Sequence, residues 1–305
     1  MPHPPLTPGD IKAAADRIAG HVRPVTVAPA DSGNVLALEF MQHTGSFKAR
    51  GAMNFLLAHR EAGTLPDAGV TIASGGNAGL ACAWAARANH VRATVFLPEN
   101  APPVKVARLN SYGADVRLVG TRYDEARAAC AEFARESGAL ASHAYDHPLV
   151  AAGAGTLTGE ILCQVPGGLD TIVVSVGGGG LFAGVATAAL EAGVEVVAVE
   201  PANCRALNAA LAAGHVVDAP VDSVAADSLG ATRASGTALA VARRDGVRSV
   251  LVDDEAIVRA RQRLWDERRL AVEHAAATAY AYEPRPTERT AVVLCGANTG
   301  LADLT

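Results

Sequence analysis

The 305-residue chain has little of what marks several large classes of protein. Aromatic residues make up only 4% of it and no block of lysine or arginine accompanies them, which leaves no stacking platform and no basic track for nucleic acid. The net charge of -5, with both signs interspersed, points the same way. Apolar runs are broken by glycine or charge well short of the ~20 residues that a membrane-spanning helix needs. Met1-Pro2-His3-Pro4-Pro5 lacks a charged segment ahead of an apolar core, so no secretory leader is expected. Cys82, Cys130, Cys163, Cys204 and Cys295 form an odd, widely spaced set without a Cys-x-x-Cys pair, which argues against a disulfide framework and a structural zinc site. One His-x-x-x-His spacing occurs, His143 to His147, but it falls in the loop that returns to the second half of the chain, and no histidine is expected to bind a metal. The expected compartment is the cytoplasm, and neither nucleic acid nor membrane is an expected partner. Internal repeats, low-complexity tracts and Ser/Gly linkers are also missing.

What the chain does have is core-forming material. It is 50% hydrophobic and 19% charged, the balance of a globular protein long enough for a sizeable core. Short β-branched runs alternate with helical stretches of 10 to 15 residues, the rhythm of a parallel α/β sheet. Strands are expected over Val35-Phe40, Val70-Ala73, Val91-Leu97, Asp115-Val119, Thr171-Val176, Glu195-Glu200 and Ala291-Cys295. Helices are expected from an Asp10 cap to about Gly20, over Asn77-Asn89, around Val104-Leu109, and over Asp124-Glu136, Thr156-Gln164 and Leu181-Ala192. Further helices are expected near Arg205-Ala212, Ala234-Arg243 and Glu255-Arg268. Two such lobes without a linker imply that one is nested in the other.

One lysine stands at an unusual place. In His43-Thr44-Gly45-Ser46-Phe47-Lys48-Ala49-Arg50-Gly51-Ala52, small and hydroxyl residues of turn and N-cap type precede a run of helix formers, which puts Lys48 in a first helical turn. The helix dipole disfavours an ammonium there, and burial beside Phe47 would lower its pKa further, as a nucleophile or base requires. An exposed lysine at a helix start fits the same local pattern.

Three glycine-rich turns follow predicted strands. Ser74-Gly75-Gly76-Asn77-Ala78-Gly79 would offer backbone N-H groups at a helix start to a carboxylate, or be a plain strand-to-helix turn. Gly177-Gly178-Gly179-Gly180-Leu181 has the form of a phosphate loop. With Ala183 and Glu200 it also satisfies a dinucleotide-binding pattern, which keeps a dehydrogenase in contention on this feature. Cys295-Gly296-Ala297-Asn298-Thr299-Gly300 follows the last strand, where Cys295 is either a small buried hydrophobe or a neutral partner for a ring nitrogen.

A lysine, a carboxylate loop and a phosphate loop in this order resemble the fold type II family of pyridoxal-phosphate enzymes, in particular its serine/threonine dehydratase branch. Thr44-Ala52 resembles the Schiff-base lysine motif, and lesser matches are Gly153-Ala-Gly-Thr156 with Glu160, and Val199-Glu200-Pro201. The resemblance covers nearly the whole chain and accounts for Lys48, which the dinucleotide reading leaves idle. It implies an α/β fold of two open, twisted, mostly parallel sheet lobes with helices on both faces, the small lobe nested in the large one. Residues 1-52 and 147-305 would form the discontinuous cofactor domain and residues 53-146 the small substrate-side domain, with Asp146 and His147 at the return.

The same resemblance implies pyridoxal 5'-phosphate as cofactor and a role for each turn. Lys48 would be catalytic; Phe47, Lys48, Asn77, Gly177, Gly178, Gly179, Gly180, Leu181 and Cys295 would bind the cofactor, with Ser228-Leu229-Gly230 covering the face of its ring away from Phe47. Ser74, Gly75, Gly76, Asn77 and Ala78 would bind the substrate; Arg127 is either a further carboxylate contact or an ordinary solvated helix residue. The implied reaction is α,β-elimination from a β-hydroxy amino acid such as L-threonine or L-serine, in a homodimer, with 3-hydroxyaspartate as another substrate type. A β-replacement enzyme of the cysteine-synthase type shares Lys48 and the phosphate loop but fits the Cys-Gly-Ala-Asn turn less well, and a non-catalytic binding protein would leave Lys48 without a purpose. Departures from the family pattern matter too. Gly75 stands where racemases carry serine, which disfavours racemisation. Cys204, Arg205 and Ala206 follow Glu200 where a second carboxylate would help hold a divalent metal, so no metal is expected. His274 replaces a usual proline after Glu273, and Gly300 a common aspartate. The chain ends soon after the Cys295 turn, so no C-terminal regulatory domain is expected.

Overall fold

The computed structural model describes residues 5–300 and 304. Its first elements are α1 (Pro8–Ile18), β1 (Val27–Pro29), β2 (Val35–Ala37) and α2 (Lys48–Glu61). A second group follows: β3 (Val70–Ala73), α3 (Asn77–Ala88), β4 (Ala93–Leu97), α4 (Pro103–Ser111), β5 (Asp115–Leu118), α5 (Tyr123–Ser137) and β6 (Leu140–Ala141). The chain then runs through α6 (Pro148–Gln164), β7 (Thr171–Ser175), α7 (Gly180–Glu191), β8 (Glu195–Pro201), α8 (Ala206–Ala213), α9 (Ala226–Leu229) and α10 (Gly236–Ala242). It closes with β9 (Val247–Val252), α11 (Asp254–Arg268), α12 (His274–Tyr280) and β10 (Thr290–Val293).

Two sheets result. The larger has the order β1-β2-β10-β7-β8-β9 and is parallel except for β1, which pairs antiparallel with β2. The smaller, β5-β4-β3-β6, is parallel throughout. All strands of the smaller sheet lie between β2 and β7 in sequence, so one lobe is inserted into the other. Each has its own core: Ile172, Val173 and Val197 with Phe182 in the large one, and Ile72, Val95, Leu80 and Leu109 in the small one. Strands buried on both faces need no alternation, and β7 and β4 are buried along their whole length.

Several local expectations are corrected. Thr7, not Asp10, caps α1; Asp10 closes a capping box by accepting from the Thr7 N-H at 2.9 Å. β2 ends at Ala37, and the predicted strand residues Glu39 and Phe40 belong to a 3-10 turn, because the Glu39 carboxylate is drawn inward to Arg50. α6 starts at Pro148, eight residues before the predicted Thr156, since its first half is small residues buried on every side with no helical period to read. Strands β1, β6 and β9 and helices α9 and α12 have no counterpart among the expected elements.

Candidate active site

The lysine turn begins where β2 ends. Thr44 and Gly45 both take left-handed backbone (φ 64° and 76°), which reverses the chain so that α2 starts at Lys48 with Phe47 at its cap position. The turn is stitched to the loop after β10: the Phe47 N-H donates to the Cys295 carbonyl at 2.9 Å, the Ala297 N-H donates to the Gly45 carbonyl at 2.9 Å, and Ser46 bridges Gly296. Neighbouring strands β2 and β10 thus deliver Lys48 and Cys295 side by side. Cys295 in turn lies 3.6 Å from Ser175 Oγ at the end of β7, the strand that leads into the four glycines.

The Lys48 amine donates to the Ala144 carbonyl at 2.6 Å and lies 4.8 Å from the centre of the Phe47 ring. A small cavity beside it is lined by Ala52, Ala78, Ser142, His143 and Val150. Burial lowers its pKa from the ordinary value to about 8, with neighbouring Cys295 and then Glu273 pulling the other way. Burial also pushes the Cys295 thiol up to about 12, so it is neutral across the physiological range.

The glycine loop leaves no room for side chains. A Cβ built on Gly178 would lie 2.3 Å from the Tyr145 ring, one on Gly179 (φ 92°) 2.4 Å from Ala238 Cβ, and one on Gly180 2.8 Å from the Tyr145 carbonyl. A Cβ on Gly177 would sit 3.0 Å from Leu229 Cα, which puts the Ser228-Gly230 segment against this loop. Gly180 opens α7, a helix of 12 residues whose first N-H groups lack intrahelical acceptors and suit an anion. In the small lobe, Gly76 stands at the cap of α3 and Asn77 begins it, so the 74-78 loop presents a second helix start.

A family model described as pyridoxal-phosphate dependent enzyme matches residues 23–296. The chain belongs to this pyridoxal-phosphate-dependent family. It is 39% identical over 268 residues to an L-threonine ammonia-lyase of Geobacter sulfurreducens, covering 85% of this chain and 66% of that one. It is 37% identical over 249 residues to a serine dehydratase-like protein of Rattus norvegicus, covering 81% and 75%. The chain therefore spans about two thirds to three quarters of the length of these relatives. The solved structure of maize serine racemase superposes with a TM-score of 0.89 at 29% identity, covering 98% of this chain and 95% of that one.

The donor set fits the cofactor of this pyridoxal-phosphate-dependent family. A partly buried amine of lowered pKa, a glycine cradle at a helix start, and a neutral thiol are gathered along the ends of β2, β10 and β7. The hydroxyls of Thr44 and Ser46, which flank Gly45 beside that amine, are buried without a hydrogen-bond partner, as polar atoms awaiting a polar ligand would be. No group of three or more histidine, cysteine, aspartate or glutamate residues suited to a metal occurs among the described residues. Glu200 is committed elsewhere: its oxygens accept from the Leu207 and Asn208 N-H groups at 2.7 and 2.8 Å, and burial raises its carboxyl to about 7.

Lys48, Phe47 and Cys295 thus meet where the lysine turn joins the loop after β10, Asn77 reaches that loop through Asn298, and Gly177 to Leu181 follow the neighbouring strand β7. Arg127 does not join them; its guanidinium is two-thirds exposed on α5 and 3.5 Å from Asp124, a solvated helix face. His147 caps α6, its ring nitrogen accepting from the Leu149 N-H at 3.2 Å. Three groups in or behind the cleft carried no role in the sequence reading. Tyr145 packs on the glycine loop, Asn298 reaches both Thr44 and Asn77, and Glu39 joins Glu160 in holding the fully buried Arg50. For Arg50, burial opposes the charge but the two carboxylates outweigh it and raise the pKa. Arg50 in the lysine motif and Thr156 and Glu160 among the lesser matches were the sequence signals for that last contact, and nothing pointed to Glu39.

Proposed function

We propose that the protein catalyses α,β-elimination of a β-hydroxy amino acid such as L-threonine or L-serine, giving a 2-oxo acid and ammonia. The observation that carries this reading is the Lys48 amine, held at a pKa of about 8 next to the neutral Cys295 thiol and the start of α2. Relatives named L-threonine ammonia-lyase and serine dehydratase-like support it.

The N-H groups of Gly177 to Leu181 would hold the cofactor phosphate, Phe47 and the Ser228-Gly230 segment would flank the ring, Asn77 would meet its phenolic oxygen, and Cys295 its nitrogen. When bound, pyridoxal phosphate withdraws electrons from the substrate Cα and so makes the Cα proton acidic. The N-H groups of the 74-78 loop orient the substrate carboxylate at the start of α3. The Lys48 amine takes the Cα proton, for which a base titrating near neutrality is matched. The neutral thiol of Cys295 donates no full proton to its partner, which favours prompt departure of the β-hydroxyl, released as water with the proton that Lys48 took from Cα. Gly75 offers no hydroxyl to return a proton to Cα, and a side chain there would press on Leu97, 2.6 Å from its Cβ position, so elimination is favoured over racemisation.

Borohydride reduction of the purified holoenzyme followed by peptide mapping is expected to place a pyridoxyl group on Lys48. A label on Lys12 or Lys105 instead would sink the site assignment. Serine and threonine, offered without a thiol, are expected to release 2-oxo acid; product only in the presence of a thiol would establish β-replacement.

The domain boundaries proposed are 52/53 and 146/147, supported by the nesting of the smaller sheet. Five free thiols suit the cytoplasm, and relatives named L-threonine ammonia-lyase and serine dehydratase-like suit a role in amino-acid catabolism. The family resemblance supports a homodimer, which sedimentation of the holoenzyme would test.

A further inference from the structure

Glu273 occupies the cap position of α12, yet its side chain does not cap that helix. Only 7% exposed, it turns toward the other lobe. Both of its oxygens accept from Asn77 Nδ2 at 3.0 Å, and Oε1 also accepts from the Asn298 N-H at 2.8 Å. The Asn298 side chain completes a ring, since its Nδ2 donates to Asn77 Oδ1 at 2.7 Å and to the Thr44 carbonyl at 2.7 Å. Arg108, from α4 of the small lobe, donates to Asn298 Oδ1. Asn77 thus has its oxygen and its nitrogen tied to two residues of the large lobe, and a carboxamide so engaged cannot flip.

A buried carboxylate is costly unless its oxygens are hydrogen-bonded. Here the bonds that compensate come from across the cleft and from the loop that follows β10, not from the helix that Glu273 begins. The same Asn298 that holds Asn77 also holds Thr44, whose left-handed backbone reverses the chain ahead of Lys48, and a Cβ on neighbouring Gly45 would lie 2.8 Å from Asn298 Oδ1. One pair of residues therefore sets the lysine turn and the first residue of α3 relative to each other.

We propose that Glu273 and Asn298 are positioning residues that clamp the Asn77 carboxamide of the small lobe in register with the lysine turn, and so hold the cofactor site in its binding geometry. The clamp rests on the cofactor assignment above and adds two residues to it. Burial keeps the Glu273 carboxyl above the usual carboxylate range, and the Asn77 and Asn298 donors oppose that shift.

The test is a double-mutant cycle on the dissociation constant of pyridoxal phosphate, measured by equilibrium dialysis without substrate on wild type, Asn77→Ala, Glu273→Ala, Asn298→Ala and the Asn77→Ala/Glu273→Ala pair. Each single change is expected to weaken binding roughly 10- to 100-fold, the scale of a hydrogen bond to a charged group. The pair is expected to be only marginally weaker than the worse single variant, and Glu273→Gln to recover part of the loss. Losses that multiply in the pair, or wild-type affinity in Glu273→Ala, overturn the clamp. If Glu273→Ala does not fold by circular dichroism, the cycle is run with Glu273→Gln and the same two outcomes decide. Wild-type protein that takes up no cofactor defeats the cofactor assignment and the clamp together, whereas wild-type uptake with multiplying losses defeats the clamp alone.

Discussion

An amine that serves as a base near neutrality has to give up its proton easily, and at Lys48 burial supplies that property. The chain has only three lysines, so Lys12 and Lys105 serve as internal controls. Below about pH 8 the Lys48 amine carries its proton and above it the free amine predominates. In cofactor-free protein, the rate of Lys48 modification by a small aldehyde with cyanoborohydride is expected to rise to a plateau through about pH 8. An ordinary lysine, titrating near 10.4, would still be gaining reactivity there. At pH 7 the fraction of free amine at Lys48 would exceed that of an ordinary lysine by roughly 200-fold. Partial burial slows access without moving the midpoint, so the midpoint read by mass spectrometry of each labelled peptide is the decisive quantity. A Lys48 midpoint near 10 would mean that the side chain is solvated and the proposed base too weakly acidic as an ammonium to act.

At the scale of elements, Lys48 reaches its place because three helices cross almost backbone to backbone. A Cβ on Gly51 of α2 would lie 2.7 Å from the Val150 carbonyl of α6, and one on Gly153 of α6 would lie 2.6 Å from the Arg50 carbonyl. Farther along, a Cβ on Gly184 of α7 would meet the Ala151 carbonyl at 2.2 Å and the Gly155 nitrogen at 2.6 Å. Backbone atoms cannot rotate aside, so Gly184→Ala is expected to destabilise the protein by about 1–3 kcal/mol, seen as a lowered urea midpoint. Gly159→Ala is the control, an exposed position in α6 with nothing within 4 Å of its Cβ site. There the better helix former should stabilise by up to about 1 kcal/mol. Equal effects of the two changes would show that this crossing is looser than its distances imply. The same crossing explains what was legible in the sequence. Glycine turns and β-branched runs are local signals, so the ends of β3 and β7, the start of α2 and the cradle at Gly177-Gly180 could be read directly. The run from Pro148 to Gly155 could not be read as helix, because a helix buried on all sides shows no period. Glu273 stood beside a recognised motif, but its partner Asn77 is 196 residues away and no spacing encodes that contact.

At the scale of the whole molecule, the two lobes are joined over the cleft by polar contacts of very different burial. The Glu273-Asn77-Asn298 ring is partly buried around the buried Glu273 carboxylate, whereas Lys105 on α4 pairs with Asp227 on α9 at 2.8 Å with the Asp227 side chain 77% exposed. Both draw the small lobe toward the large one, but water competes for only one of them. An exposed pair is worth at most about 1 kcal/mol and is screened by salt within a Debye length of ~10 Å at 0.1 M. Asp227→Asn is therefore expected to change kcat/KM for the eliminating substrate by less than about fivefold at low salt, and to match wild type at high salt. Buried hydrogen bonds are screened far less, so the deficit of Asn298→Ala should persist at both salt concentrations. A loss of more than about tenfold in Asp227→Asn at low salt would exceed what an exposed pair can supply and would make the rim, not the partly buried ring, the main polar tie between the lobes.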